Sequence, residues 1–166
     1  MKRAQTISIS PENATFSNHD LIFLPVDPNF QPTDEQFKLS MALLESDYPD
    51  SMIIGDCFEN TQFIDAGSNF ESIQCPFCKQ AINHETWHEW MENAFEKSQF
   101  EDLGITTECC SKTIQLSALI YSGNDGFASF VLRVNNPEPN DAMEKEIKED
   151  LTEINQTHFR SFYRIA

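Results

Sequence analysis

Apolar side chains recur along this chain in two patterns, one typical of strands and one typical of helices. Five short runs have the length and apolar content of β-strands, and segments rich in Gly, Pro or Asn separate them. These runs cover residues 21–26, 52–58, 62–66, 127–134 and 159–165. Three longer segments carry apolar residues every three or four positions, which places them on one face of a helix. These segments cover residues 34–46, 84–98 and 141–154.

The order of these elements predicts an α+β protein. A strand, a helix and two strands precede residues 74–116, and a strand, a helix and a final strand follow them. We expect a mixed or antiparallel sheet with two or three packed helices. The predicted organisation is a single α+β domain over residues 21–166, with an inserted zinc-ribbon-like module at about 74–116.

Two stretches have a less regular pattern. Residues 1–20 are polar and show little periodicity, so we expect a loosely ordered N-terminal arm or a short edge strand. Glu59-Asn60-Thr61 separates two strand-like runs and has the length of a hairpin turn. The pattern therefore predicts a hairpin over residues 52–66.

Four of the five cysteines fall inside the predicted insertion, in two pairs. Cys75 and Cys78 enclose two residues, a spacing at which one turn can direct both thiolates to a tetrahedral zinc ion. Cys109 and Cys110 are adjacent, so both reach one ion only with some backbone strain. The pattern predicts a structural Zn²⁺ site formed by these four side chains. Two alternatives stay open, namely reduced cysteines packed as small apolar side chains and a redox disulfide.

The second predicted helix begins with a motif that also occurs in zinc hydrolases. His84-Glu85-Thr86-Trp87-His88 matches the pattern in which two His side chains bind zinc and Glu acts as general base. No obvious third ligand follows in the sequence, so a metal-dependent hydrolase is the alternative function and a protein without enzymatic activity is preferred. His84 or His88 could also complete the cysteine site in place of Cys109 or Cys110.

The chain is strongly acidic, and its acidic residues are unevenly distributed. Eleven basic and 27 acidic residues give a formal net charge of −16, and Lys38 is the one basic residue within 21–74. Such a surface repels nucleic acid, so direct nucleic-acid binding is not expected. The acidity reflects either ordinary solubility or a surface suited to a basic protein partner. The candidate partner-binding residues are Asp34, Glu35, Glu45, Asp47, Asp50, Asp56 and Glu59.

Length, hydropathy and cysteine usage favour a cytoplasmic protein. The 166 residues suit one domain, and a hydrophobic content of 40% is enough for a folded core without disulfides. The sequence has no apolar run of about eighteen residues that would span a membrane and no signal-peptide core after residues 1–6. The expected function is that of a small acidic cytosolic zinc-binding protein, not an enzyme, that binds a basic protein as an immunity protein or inhibitor would.

Several short motifs occur together between residues 25 and 137. They are Pro25-Val26-Asp27-Pro28-Asn29-Phe30, Cys75-Pro76-Phe77-Cys78, Trp87, Cys109-Cys110, Leu119, Tyr121, Gly126-Phe127-Ala128-Ser129-Phe130 and Asn136-Pro137. In these motifs the chain resembles a family of small bacterial proteins of unknown function with a zinc-ribbon-like insertion. The resemblance spans about residues 21–165 and implies the zinc site and the fold, but no activity. Such families place Gly where this chain has Lys79 and Ser111, so we expect a lower metal affinity, because Gly relieves backbone strain there.

Overall fold

The computed structural model of this protein describes residues 4–166, which form three helices and nine strands. The strands are β1 (Gln5–Ile9), β2 (His19–Pro25), β3 (Ile53–Ile64), β4 (Ile73–Gln74), β5 (Gly104–Thr106), β6 (Thr113–Gln115), β7 (Ile120–Tyr121), β8 (Gly126–Asn135) and β9 (Phe159–Ile165). The helices are α1 (Asp34–Asp47), α2 (His84–Ser98) and α3 (Asp141–Asn155), and a short 3-10 turn covers Leu116–Ala118. The predicted α+β class is confirmed. No helix in residues 4–166 is long and apolar enough to cross a membrane.

Five strands form one antiparallel sheet in the order β1-β3-β8-β2-β9. β8 lies at its centre, and nearly all of its residues are buried, as expected for a strand that is covered on both faces. The register places Phe23 of β2 between Leu132 of β8 and Ser161 of β9. β4 with β7 and β5 with β6 form two further short antiparallel pairs.

The hairpin expected over residues 52–66 is wrong, because β3 is one continuous strand of 12 residues. Its pairing with β8 shifts between Cys57 and Gln62, so the polar stretch forms a bulge and not a turn. Thr61 is buried in this bulge, and its hydroxyl donates to or accepts from Ser129 Oγ at 3.1 Å. Ser129 is distant in sequence, so the local pattern gave no sign that a polar residue could be buried there.

The N-terminal stretch contains an edge strand. β1 pairs with β3 along the register from Gln5 opposite Cys57 to Ile9 opposite Ile53. Ile7 and Ile9 pack against the core of the sheet, whereas the alternate side chains are exposed. Of the two structures expected for this stretch, the edge strand is therefore present over Gln5–Ile9. The expectation for residues 1–3 lies outside the described residues.

Helices α1 and α3 cover one face of the sheet. α1 begins with a capping box in which Thr33 Oγ1 accepts the Gln36 N–H and the Gln36 side chain accepts the Thr33 N–H. It buries Phe37, Met41 and Leu44, and α3 buries Ile147 and Leu151, around Phe130 of β8. We call these two helices the helical layer.

The chain after β3 crosses the opposite face of the sheet to reach β9. Ala66 packs there with Leu24 and Phe162, and Gly67 forms a bridge with Ile165. Gly67 has a φ of 61°, and a Cβ atom at this position would lie 2.0 Å from the Ile165 carbonyl oxygen. Only glycine therefore fits this crossing.

A buried carboxylate forms a hydrogen bond with the segment that crosses the sheet after β3. Asp125 is 3% exposed, and its Oδ2 accepts the Ala66 N–H at 2.6 Å. Burial raises the pKa of Asp125 above its ordinary value, although the Ala66 N–H opposes this. Such a group favours folding most below its unfolded pKa of about 3.9, and this contribution is lost as the pH rises through the folded pKa.

We therefore predict that Asp125→Asn gains stability relative to the natural chain as the pH rises from about 3 to 7, because the amide has no charge to desolvate. Urea unfolding at a series of pH values measures this difference. An Asp50→Asn protein is the control, since Asp50 is exposed and the change replaces the same carboxyl group at the surface. The prediction is wrong if the difference in the free energy of unfolding between Asp125→Asn and the natural chain does not change with pH.

The segment that carries four cysteines packs against one end of the sheet. Phe63 of β3 and Phe127 of β8 contact each other with ring centroids 5.3 Å apart, and Phe63 lies 5.2 Å from Trp87 of α2. Trp87 Nε1–H donates to Tyr121 Oη at 3.1 Å, and Tyr121 O–H donates to the Leu116 carbonyl at 2.9 Å. We call the set Phe63, Phe70, Trp87, Phe100, Tyr121 and Phe127 the aromatic cluster.

Candidate metal centre

The four predicted cysteines lie together. The sulfur atoms of Cys75, Cys78, Cys109 and Cys110 are all within 4.8 Å of one another, and Cys75 Sγ lies 4.0 Å from Cys110 Sγ. All four are thiols and form no disulfide. Around a tetrahedral ion with Zn–S bonds of about 2.3 Å, the sulfur atoms would be about 3.8 Å apart. Separations of up to 4.8 Å are compatible with one shared ion, so the four side chains could bind a metal.

The first pair sits in a tight turn between residues 73 and 82. The Cys75 N–H donates to the Gln80 carbonyl at 3.0 Å, and the Lys79 N–H donates to the Cys75 carbonyl at 2.9 Å. The Ile82 N–H donates to the Ile73 carbonyl at 2.8 Å, which closes the base of the turn. We call residues 73–82 the first cysteine turn.

The second pair sits in a turn of the same construction between residues 105 and 114. The Thr107 N–H donates to the Lys112 carbonyl at 2.9 Å, and the Ser111 N–H donates to the Thr107 carbonyl at 2.8 Å. Ile105 pairs with Ile114 at the base. We call residues 105–114 the second cysteine turn.

The two turns are equivalent when the chain is shifted by 32 residues, as the hydrogen-bond pairs above show. Under this shift Cys78 corresponds to Cys110, but Cys75 corresponds to Thr107. The fourth cysteine, Cys109, corresponds instead to Phe77. The second turn therefore has no sulfur at its first position and carries one at its third.

Thr107 and this equivalence were not predicted from the sequence. A signal was present, because Ile, Cys and Ile recur with the same spacing in Ile73–Cys78–Ile82 and in the segment from Ile105 to Ile114. The adjacency of Cys109 and Cys110 concealed it, since a search for a second Cys-x-x-Cys pair finds none.

Both turns place a residue other than Gly in the left-handed backbone region directly after the second cysteine. The φ angle is 62° at Lys79 and 53° at Ser111. These are the two positions at which the resemblance led us to expect Gly. Each such conformation costs a residue with a side chain about 1–2 kcal/mol relative to Gly. The lower metal affinity expected from this strain stays a prediction.

Hydrogen bonds among the sulfurs separate the pKa values of the thiols. The backbone N–H of Cys78 lowers the pKa of Cys75 to about 7. A hydrogen bond shared with the Cys78 side chain raises the pKa of Cys110 to about 12 and raises that of Cys109 as well. One thiol of the group therefore ionises readily while others retain protons, so a bound metal ion must displace protons.

The histidines of the His84-Glu85-x-x-His88 motif are exposed and lie apart from the sulfurs. His84 Nε2 is 3.1 Å from the Glu71 carbonyl oxygen, and its ring contacts Phe70. Within residues 4–166, the only group of three or more His, Cys, Asp or Glu side chains that could hold an ion is the four cysteines. The structure does not bring a third ligand to the two histidines.

We accordingly predict that His84→Ala and His88→Ala proteins each retain the full metal content of the natural chain. Neither imidazole belongs to the sulfur group, so neither substitution removes a ligand. Elemental analysis of the purified proteins measures this directly. Loss of metal from either variant would show that a histidine completes the site.

The seven acidic residues predicted to bind a partner are split between two faces of the sheet. Asp34 and Glu35 lie in the first turn of α1, and Glu45, Asp47 and Asp50 lie at its far end. Glu59 and Asp56 lie on β3. A Cβ atom on Gly55 would contact α1, so Asp56 faces the opposite side of the sheet. There Asp56 pairs with Arg133 at 3.4 Å and accepts the Thr6 hydroxyl at 2.7 Å.

Comparison with family models, curated proteins and solved structures finds no match to this chain. The likeness to small bacterial proteins with a zinc-ribbon-like insertion thus stays a resemblance of motifs. What the structure shows is a cluster of four cysteines that could hold a metal.

Proposed function

We propose that this chain is a small acidic zinc-binding protein of the cytoplasm, without enzymatic activity, whose Zn²⁺ is structural. The observation that carries the proposal is the approach of four sulfur atoms to within 4.8 Å of one another. Cys75, Cys78, Cys109 and Cys110 would bind the ion as thiolates, and the two cysteine turns would form the zinc-ribbon-like part.

The donor set supports both zinc and a structural role. Four sulfur ligands suit zinc, and they leave no open position for a water molecule or a substrate. Such an ion cross-links the two cysteine turns, which are separated by α2 in the sequence. Four reduced thiols also agree with a reducing compartment such as the cytoplasm.

Elemental analysis of protein purified without added metal tests the proposal. The expected result is about one zinc per chain, which is released when a mercurial titrates the sulfurs, because mercury–sulfur bonds replace the zinc–sulfur bonds. Less than about half an equivalent of zinc in fully reduced protein would overturn the proposal. If the protein contains iron and no zinc, the four-cysteine site is supported but the proposed metal is wrong.

We further propose that the partner is a protein with a basic surface and that it binds at the helical layer. That layer carries Asp34, Glu35, Glu45, Asp47, Asp141, Glu144, Glu146, Glu149, Asp150 and Glu153 against Lys38, Lys145 and Lys148. Burial and then the charge of Asp150 raise the pKa of Asp47, so like charges are held close together across the two helices. A basic partner would relieve this repulsion, as an immunity-type or inhibitor-type complex does.

We predict that the affinity for such a partner falls steeply between about 50 and 500 mM salt, because the Debye length falls from roughly 14 to 4 Å. Partners captured from the native host at low salt provide the assay. The Glu45→Lys/Glu149→Lys protein should bind about tenfold more weakly. The control is Glu92→Lys/Glu96→Lys on α2, which changes the net charge equally and should bind almost normally. Binding that is indifferent to salt would remove the electrostatic argument.

A further inference from the structure

The two cysteine turns share one backbone but offer different ligands at their first position. Cys75 is fully buried there, and Thr107 is 1% exposed at the equivalent position. The Thr107 Oγ1 accepts the Lys112 N–H at 3.3 Å and lies 3.4 Å from the Lys112 carbonyl oxygen. This hydroxyl therefore closes the second turn and is not directed to the metal.

The second cysteine turn supplies its additional sulfur from Cys109, at the third position of the turn, which faces outward. Phe77, which corresponds to Cys109, is 48% exposed and carries the Lys112 ammonium 4.5 Å above its ring. Cys109 is likewise exposed, yet its sulfur is one of the four close together. Its side chain thus contacts solvent and the sulfur group at the same time, whereas Cys75 is enclosed.

A cavity of about 320 Å³ opens beside this side chain. Thr107, Glu108 and Cys109 line it from the second cysteine turn, and Thr86 and Trp90 line it from α2. Of the four sulfur ligands, only Cys109 contributes to its lining in the part of the chain that the structure describes. A small molecule of several heavy atoms could therefore approach the metal from the side of Cys109.

We propose that Cys109 is the exchangeable ligand of the metal centre and that the cavity beside it admits a soft sulfur donor, such as the thiol of another molecule. In the exchange, the metal–sulfur bond to Cys109 breaks and a metal–sulfur bond to the incoming thiol forms. The proton of that thiol passes to the Cys109 thiolate, and no oxidation occurs. Cys75, Cys78 and Cys110 keep the metal. This inference rests on the metal centre proposed above.

Alkylation of the zinc-loaded protein with N-ethylmaleimide tests the order of ligand reactivity. Each thiolate forms a bond to one carbon of the maleimide double bond. The neighbouring carbon of the maleimide then takes up a proton from water. We expect Cys109 to be labelled on the order of tenfold faster than Cys78, as measured by peptide mass spectrometry. Cys78 is the matched comparison because it is also exposed. Labelling of Cys78 first, or of both at one rate, would overturn the proposal.

A redesigned ligand set provides an independent test. The double variant Thr107→Cys/Cys109→Ala moves the sulfur to the buried first position and makes the two turns alike. Transfer of its zinc to the chromophoric chelator 4-(2-pyridylazo)resorcinol should be on the order of tenfold slower than transfer from the natural chain. A Thr107→Ser protein, which keeps the hydroxyl, should transfer zinc at the natural rate. An unchanged or faster rate in the double variant would overturn the proposal.

The two proposals fail in distinguishable ways. If the natural chain contains no metal, the proposed metal centre is wrong. If it contains one zinc but another cysteine is labelled first, only the proposed exchange at Cys109 is wrong. If the double variant does not fold, the labelling experiment on the natural chain still decides.

Discussion

A Cys75→Ser protein is expected to be purified with almost no zinc. Cys75 is the fully buried member of the four, and its thiol has a pKa lowered to about 7 by the Cys78 N–H. It is therefore the thiol that ionises most readily and the one that solvent or another side chain replaces least easily. Serine keeps the size of the side chain but binds zinc weakly, because a hydroxyl does not ionise near neutral pH.

The loss of metal should also destabilise the protein. Zinc supplies about 10–16 kcal/mol of apparent binding energy in isolated zinc-finger peptides. We expect a smaller loss here, of several kcal/mol in the free energy of unfolding, because apolar packing also holds both cysteine turns. Ile73, Ile105 and Leu116 are buried beneath them. Thermal unfolding with and without zinc measures the effect.

Cys57→Ala is the matched control. Cys57 is also buried, but it lies in the core of the sheet under the helical layer, away from the four sulfurs. Its replacement should cost about 1–2 kcal/mol of stability and leave one zinc per chain. A Cys75→Ser protein with an unchanged zinc content would show that Cys75 is not needed to hold the metal.

Trp87→Ala is expected to lower the free energy of unfolding by about 3–5 kcal/mol, as large-to-small changes at buried aromatic residues do. Trp87 is 4% exposed and contacts Phe63, Phe70 and Tyr121 with ring centroids 5.2–6.1 Å apart. The change also removes the indole N–H that Tyr121 accepts. Denaturant unfolding followed by far-UV circular dichroism measures the loss.

Phe95→Ala is the control for this prediction. Phe95 lies on the same helix and is 53% exposed, and its closest ring contact is Phe100 at 5.5 Å. Its removal should cost less than about 1.5 kcal/mol, the upper value for an aromatic pair at the surface. A loss of less than about 1.5 kcal/mol for Trp87→Ala would mean that the aromatic cluster contributes little to stability.

The same packing bears on whether the chain is one cooperative unit, as the sequence predicts. Both tryptophans of the chain, Trp87 and Trp90, belong to α2. Tryptophan fluorescence therefore reports on the cysteine-bearing segment, and circular dichroism reports on the whole chain. Because Phe63 and Phe127 connect that segment to the sheet, we expect the two transitions to coincide. Separate transitions would indicate two independently folding units.

Regular periodicity explains which elements could be predicted from the sequence. α2 covers His84–Ser98 with Asn83 as its N-cap, as expected, because its apolar spacing and its capping residue agree. β8 and β9 were likewise evident from apolar runs. The bulge in β3 was not, because the burial of Thr61 depends on Ser129, which approaches it only in the folded sheet.

The candidate site was predictable in composition but not in its internal arrangement. The spacing of Cys75 and Cys78 predicted one half of the sulfur group, and the adjacent pair Cys109–Cys110 suggested the other half. The register of the second turn depends on hydrogen bonds of Thr107, a residue type that no ligand motif includes. The proximity of the acidic residues of α3 to α1 could not be predicted either, because it arises from tertiary packing.

The strands that flank the cysteine-bearing segment are direct neighbours in the sheet. Ile64 of β3 lies opposite Gly126 of β8, so β3 and β8 form a β-hairpin whose connection is about sixty residues long. A metal that joins Cys75 to Cys110 would shorten this connection to fewer than about thirty residues, which lowers its closure cost by only about 0.7 kcal/mol. The hairpin therefore tolerates a large excursion of the chain at little entropic cost, and a shorter or longer excursion could replace it without disturbing strand order.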